Sequence, residues 1–476
     1  MARLQSQDEG VARSRSQLAS AINTALALKS QCLALRSAVS IIRAVLDIKY
    51  IRQEPGVAKE RLVARGEDAG VIDKLLMLDQ KRRALVTEVE NLQAERNAVS
   101  KEIGMFMGQG KKAEAEAKKT EARELGDKTD ALNLLMAEAD VAFNELLLRL
   151  PNLAHESVPV GADESANAEV KAEGEKPSFD FKPKDHLDLC EDLGLIDFER
   201  GAKLTGSGFL LYTNWGARLE RALIQFLLDL HVHEHGYTEV SPPFMVQAEC
   251  MEGVGQFPKF LDQAYAVQEG LDGDTLGKCY LIPTAEAPVA NMHRGEILNE
   301  SDLPKLYCAY SPCFRAEAGA AGVATRGMIR VHQFDKVELI KIVNPDDGYN
   351  ELEGMLADAE KTLQLLGLHY RVLLLSSGDM GFAAAKTYDI EVWAPGQGTY
   401  LEVSSVSNTE DFQARRMKLR FKAEHGGNKL PHVLNGSGVA LARLFVALIE
   451  TYQQEDGSIK IPEPLQPYLK TDRITA

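Results

Sequence analysis

The period of the hydrophobic pattern changes along the chain, and each change predicts an element. From Ile72 onward, Leu75, Leu78, Leu85, Val89, Leu92, Val99 and Ile103 recur at alternating steps of three and four, with Arg82 and Arg96 in the two vacant places. That is the seam of a long helix. Gly104, Gly108 and Gly110 break it, and a second seam runs through Leu125, Leu132, Leu135, Ala139, Ala142 and Leu146 to Pro151. Two such helices about a glycine turn predict an antiparallel hairpin. The seams are narrow and flanked by charge, so the coiled coil projects as an arm instead of packing into a core.

Residues 151–178 are polar, acidic and rich in proline and glycine, which predicts a linker. The globular part begins near Phe179. Asn214 to His235 has helical spacing, with Leu219, Leu223, Phe226, Leu227 and Leu230 on one face. His231, His233 and His235 end it, where imidazolium suits the helix dipole. Asp389 to Asn408 reads as two strands around the Pro395–Gly398 turn.

From Tyr307 to Leu339 the pattern predicts a long hairpin, its strands running up to Phe314 and back from Ile329. Gly319, Gly322 and Gly327 lie between them. Alternation puts Arg315 and Glu317 on one face, and His332, Phe334, Lys336 and Glu338 on one face opposite Val331, Val337 and Leu339. A solvated sheet face explains the charges but not the lone ring. A ligand with phosphates and a flat base explains both. The pattern alone leaves the two open.

Between Val433 and Ile449 Arg443 is the one charged residue. Read as a buried helix, the segment needs an anion for that guanidinium, either a structural carboxylate or a ligand.

Bulk properties narrow the class. The chain has 476 residues and a net charge of -16. That length gives two or three domains, and that charge excludes indiscriminate nucleic-acid binding over the whole surface. Cations near the arm's turn (Lys101, Lys111, Lys112, Lys118, Lys119) make it locally basic, which fits either a spacer coil or a nucleic-acid arm. Six scattered cysteines lack zinc spacing and read as reduced thiols. No apolar run is long enough to span a membrane. Residues 1–44 are Arg-, Ser- and Ala-rich and nearly free of acids. That composition fits a transit peptide or upstream sequence read through from a misassigned start, and the second is favoured.

FRAEAG followed by TRGMIRVHQFDKVEL resembles motif 2 of the class II aminoacyl-tRNA synthetases, and most closely that of the seryl-tRNA synthetase family. GYTEVSPPFMV resembles motif 1, and VLNGSGVALARLFVALI motif 3. LDIKYIRQEP from Leu46, MEGVGQFPKF (Met251 to Phe260) and LIPTAEAP also match the family. The chain departs from it at Val323-Ala324, where polar residues are expected, and at Ala440, in place of a glycine.

The resemblance implies an α+β fold: an antiparallel sheet with flanking helices, plus the N-terminal arm as tRNA-binding domain. The expected division is an extension (1–44), a tRNA-binding domain (45–150), the linker, and a catalytic domain (179–476). The implied activity is ATP-dependent serine–tRNA ligation in the cytoplasm by a homodimer. Its partners would be L-serine, tRNA(Ser) and tRNA(Sec), without a membrane. Arg315 and Arg443 would be catalytic, on the α- and γ-phosphates. ATP would lie against Arg315, Ala316, Glu317, Val331, Phe334, Glu402, Val403, Ser404, Ser405 and Arg443. Mg2+ would sit on Glu402 and Ser405. Serine would meet Thr284, Ala285, Glu286, Arg315, Glu338, Asn435 and Ser437, with Asn435 to Gly438 opening the motif 3 helix.

Overall fold

The computed structural model describes residues 46–268, 276–318 and 327–476. The N-terminal extension, Gly319, Gly322 and the Val323-Ala324 pair lie outside the described residues. Contacts divide the chain into two units, one holding residues 70–147 and the other 45–69 with 148–476.

The first unit is a helical hairpin of α1 (Gly70–Gly108) and α2 (Lys112–Leu148), turned at Gly110, whose φ is +75°. Arg82 meets Asp140, Arg96 packs against Gly126, and Lys118 meets Glu102 at 2.8 Å, so the antiparallel register holds along its length. Arg82, filling a vacant seam position, stacks on Phe143 with 4.3 Å between its guanidinium carbon and the ring centre. The second seam differs from the expected one. Leu125, Thr129, Ala139, Phe143 and Leu147 are buried, while Leu135 and Ala142 are exposed. Thr129 is polar, yet its hydroxyl donates to the Leu125 carbonyl at 2.7 Å and so can be buried.

The second unit is built on eight strands. In chain order these are β1 (Ala168–Glu173), β2 (Thr238–Glu239), β3 (Lys305–Phe314), β4 (Gln333–Val343), β5 (Tyr370–Leu374), β6 (Lys386–Ala394), β7 (Thr399–Asn408) and β8 (His432–Ala440). Their order across the sheet is β1-β5-β6-β7-β8-β4-β3-β2, antiparallel except for the edge pair β2–β3. On β4, Val337, Leu339 and Val343 pack into a core with α3 (Asn214–His233), α4 (Gly348–Leu365) and α5 (Leu441–Tyr452). Ile340 and Ile342 point the other way, into a second core with Ile282, Val289, Ala309 and Met417. Phe334, Lys336 and Glu338 continue that second face beyond the apolar cluster. The site lies there because the apolar cover ends there.

Several expectations need correction. Residues 151–178 are no loose linker: they supply edge strand β1, and buried Asn152 donates to the carbonyls of Ala383 and Thr409 at 3.0 and 2.9 Å. Contacts that hold residues 46–69 within their unit are Asp47–Arg415 (3.0 Å) and Arg65 on the Ser377 carbonyl (2.9 Å). The returning strand starts at Gln333, later than Ile329. Asn435 to Gly438 belong to strand β8 rather than to a helix start. His231 is fully buried and pushed down to about 3 by desolvation, with His235 adding repulsion. It is therefore neutral, and its Nδ1 lies 3.0 Å from that of His235. Burial outweighs the helix dipole there.

Candidate active site

Two adjoining cavities open on the polar face of the sheet. One, of about 410 Å³, takes in Glu286, Arg315, Glu317, Arg330 and Asn435. The other, of about 280 Å³, takes in Arg315, Glu317, Val331, Phe334, Glu402, Val403, Ser437 and Arg443. Arg315, Glu317 and Arg330 border both. Residues 316–317 do not continue the strand. β3 ends at Phe314, and Glu317 has a left-handed φ of +49°. Arg315 and Glu317 therefore share the cavity through a turn, not through strand parity. The Arg315 amide donates to the His332 carbonyl at 2.9 Å, and its guanidinium carbon stands 5.1 Å from the Phe334 ring centre. Glu317 accepts from Arg330 Nε at 2.6 Å.

Across the sheet, register sets the order of the groups. Phe334 is opposite Cys313, Lys336 opposite Ser311, and Glu338 lies between Ala309 and Ser437. Lys336 and Glu338 form a buried ion pair. Thr284 also hydrogen-bonds Glu338, whose carboxyl is nonetheless raised, first by desolvation. Thr284 and Glu286 do not lie on a strand. Glu286 starts a short helix (Glu286–Ala290), and its amide donates to Thr284 Oγ1 at 3.2 Å. The Glu286 carboxyl is buried, which together with the nearby Glu338 charge raises it to about 7. Gln413 Nε2 and Asn435 Nδ2 donate to its Oε1 at 2.6 and 3.0 Å. Sequence reading missed Gln413 and Arg330 and gave Lys336 no individual role. Gln413 lies outside every recognisable motif and reaches the site only through the packing of its helix.

Glu402 and Ser405 are three apart, a spacing that would place them on opposite faces of a regular strand. A bulge corrects it: Glu391 pairs with Glu402 but Ile390 with Ser404, leaving Val403 extra. Glu402 and Ser405 thereby share the face of Asp389 and Glu391. Ser405 hydrogen-bonds Asp389, whose carboxyl is raised by burial and then by the Glu402 charge. These hard oxygen donors suit Mg2+ held jointly with a phosphate. Among the described residues no group of three or more His, Cys, Asp or Glu could hold a metal unaided. Ser404 turns inward and donates to the Ser437 carbonyl. Thr284, Ala285, Ala316, Glu338, Ser404 and Ser405 do not line either cavity.

Arg443 departs most from expectation. It is not enclosed by hydrocarbon: its side chain is 30% exposed, at the third residue of α5, and it faces the smaller cavity. Nor does it lack a partner. Nε donates to the Ile329 carbonyl at 3.0 Å, and Nη1 to the Glu402 carbonyl at 2.8 Å and to its carboxylate at 3.3 Å. The apolar run is not one helix: its first half is strand β8. Arg443 sits where the chain turns from sheet to helix and the cover opens.

Comparison with known proteins agrees with this geometry. The model of the tRNA synthetase class II core domain (G, H, P, S and T) matches residues 267–452, and that of the seryl-tRNA synthetase N-terminal domain residues 45–154. The serine–tRNA ligase of Akkermansia muciniphila is 54% identical over 431 residues, covering 90% of this chain and 99% of that protein. That of Bacillus subtilis is 50% identical over 426 residues, covering 89% and 98%. The crystal structure of seryl-tRNA synthetase from Pyrococcus horikoshii complexed with ATP superimposes with a TM-score of 0.83 at 39% identity, covering 90% of this chain and 99% of that one. The cytoplasmic serine–tRNA ligase of Naegleria fowleri in complex with AMP gives 0.78 at 29% identity, covering 88% and 96%. With half its sequence shared along nearly the full length of such relatives, the chain belongs to the seryl-tRNA synthetase family of class II aminoacyl-tRNA synthetases.

Proposed function

We propose that the chain activates L-serine with ATP and transfers the seryl group to tRNA(Ser), with tRNA(Sec) as a second acceptor. The observation that carries this reading is Arg315 at the junction of the two cavities, with Glu286 in one and Phe334 and Arg443 in the other. A serine carboxylate oxygen bonds to the α-phosphorus as the bond to pyrophosphate breaks. Arg315 meets the charge gathering at that phosphate, which is where a fixed cation lowers the barrier. Phe334 stacks on adenine and Glu317 reads its amino edge. Arg443 exchanges the Glu402 carboxylate for the γ-phosphate. Glu402 and Ser405 would hold Mg2+, which would supply charge neutralisation on the phosphates. In the second step a ribose hydroxyl of the tRNA terminus bonds to the seryl carbonyl carbon. AMP leaves, and the hydroxyl proton passes to phosphate or solvent.

Serine binds through its ammonium on Glu286, with Asn435 beside it and Ser437 in the adjoining cavity, while buried Thr284, Ala285 and Glu338 back the pocket without lining it. The working form is a homodimer through the segment around β2, a reading supported by exposed Phe244 and Met245 just beyond it. The cytoplasm is the compartment, a reading supported by the thiols of Cys190, Cys250, Cys308 and Cys313. Among the described residues no helix is long and apolar enough to cross a membrane.

The test is pyrophosphate exchange with one amino acid at a time. Serine supports exchange, and alanine falls short by about 10⁴-fold in kcat/KM, because a dry pocket built for a hydroxyl is left unpaired without it. Equal exchange with alanine, or none with serine, overturns the reading. A pH series probes Glu286. Its carboxyl sits at about 7, so acidification protonates it and removes the ammonium's counter-charge. The KM for serine then rises about tenfold per pH unit below 7, while that for ATP moves much less. The variant Glu286→Gln flattens the serine profile.

A further inference from the structure

The larger cavity exceeds what serine needs. Glu286 and Asn435 form the serine corner, and Arg315, Glu317 and Arg330 form the side shared with the nucleotide. The far side is walled by Gly255, Gln256, Phe260 and Phe382, and activation of serine leaves it no task.

We infer that this wall is the seat of the tRNA's terminal nucleoside, with Phe260 stacking on its base and Lys259 meeting the adjoining phosphate. The inference rests on the proposed function and assigns the second substrate a place within the same site. Phe260 is half-buried and stands edge-on to Phe382, with ring centres 6.3 Å apart at 88°. The Lys259 ammonium lies 5.0 Å from the Phe382 ring centre and 5.9 Å from that of Phe260, at an exposed position. An aromatic face beside a cation is what a single-stranded nucleotide recognises.

The wall is also preformed. Arg416 donates to the carbonyls of Glu252 and Phe257, both at 3.3 Å, and packs on Phe412 and Phe382. Gln263 ties the far side to the Arg315 segment: its carbonyl accepts from Ala316, and its side-chain oxygen from Ala318, both at 3.0 Å. With ATP in the smaller cavity and serine in the Glu286 corner, this wall offers a side from which a ribose hydroxyl can reach the activated carbonyl.

The test uses the full chain carrying Phe260→Ala, and tRNA(Ser) transcripts ending in adenosine or cytidine. Serine-dependent pyrophosphate exchange stays within about twofold of the parent, while single-turnover transfer to the adenosine-ended transcript falls about tenfold. In the parent, exchanging terminal adenosine for cytidine is costly; in Phe260→Ala most of that cost disappears, since the stacking partner is already gone. The variant Phe260→Tyr keeps both transfer and base preference. Lys259→Ala raises the KM for tRNA and weakens its salt dependence. Unchanged transfer in Phe260→Ala, a parallel loss of exchange and transfer, or an undiminished cost of the base change each overturns the subsite. Absence of exchange in the unaltered chain instead overturns the activity itself.

Discussion

Arg315→Ala is expected to lower serine-dependent pyrophosphate exchange by about 10²–10³-fold, the range lost when one fixed donor to a developing charge is removed. The melting temperature should barely move. Arg315 is exposed, and its backbone contacts to His332 survive the substitution. Arg315→Lys should recover only part of the rate, because an ammonium reproduces the charge but not the planar two-point grip on phosphate oxygens. Exchange kinetics alongside a thermal melt separate these effects. Exchange unchanged in Arg315→Ala would remove the α-phosphate role, and with it the link between the two cavities.

The second large effect concerns the arm. Residues 70–147 form a contact unit of their own, and the site lies wholly within the other. The two helices enter and leave side by side, at a helix-packing distance of about 8–10 Å, so a short glycine-serine link closes the gap. Replacing residues 72–147 in this way should leave pyrophosphate exchange within a few-fold of the parent. Charging of tRNA(Ser) should fall by at least about 10²-fold as the phosphate contacts of the tip are lost. The tip is less basic than its composition indicates. Lys118 is tied to Glu102 and Glu121, and Lys119 to Glu116, while Lys101, Lys111 and Lys112 are exposed. Charge reversal at those three should reproduce much of the loss and flatten its salt dependence. An equal fall in exchange and charging after the deletion would show that the arm supports the fold of the site instead of delivering tRNA.

The helical hairpin was legible because periodicity is local: a seam of leucines and valines predicts a helix wherever it occurs. Its second half was misplaced at Leu135 and Ala142, since Thr129 satisfies its own hydroxyl within the helix and so passes as a core residue. Polar composition likewise misled at residues 151–178, which become an ordered sheet edge through hydrogen bonds to residues far along the chain. The identity of the chemistry was legible from the resemblance of the segment around Arg315 to motif 2, since its mixture of cation, acid and ring alone left a solvated face open.

By itself the sequence determined which elements form and which chemical groups gather: strand alternation set Phe334, Lys336 and Glu338 on one face, and hydrophobic period set the arm. Tertiary structure alone decided how those groups are poised. A bulge at Val403 brings Glu402 and Ser405 to one side. Distant Gln413 and Asn435 grip Glu286, and its burial near Glu338 moves its titration to about 7. Glu402 meets Arg443 where strand gives way to helix. Register, burial and partnership depend on residues remote in the chain, and a linear pattern carries no measure of the distances between them.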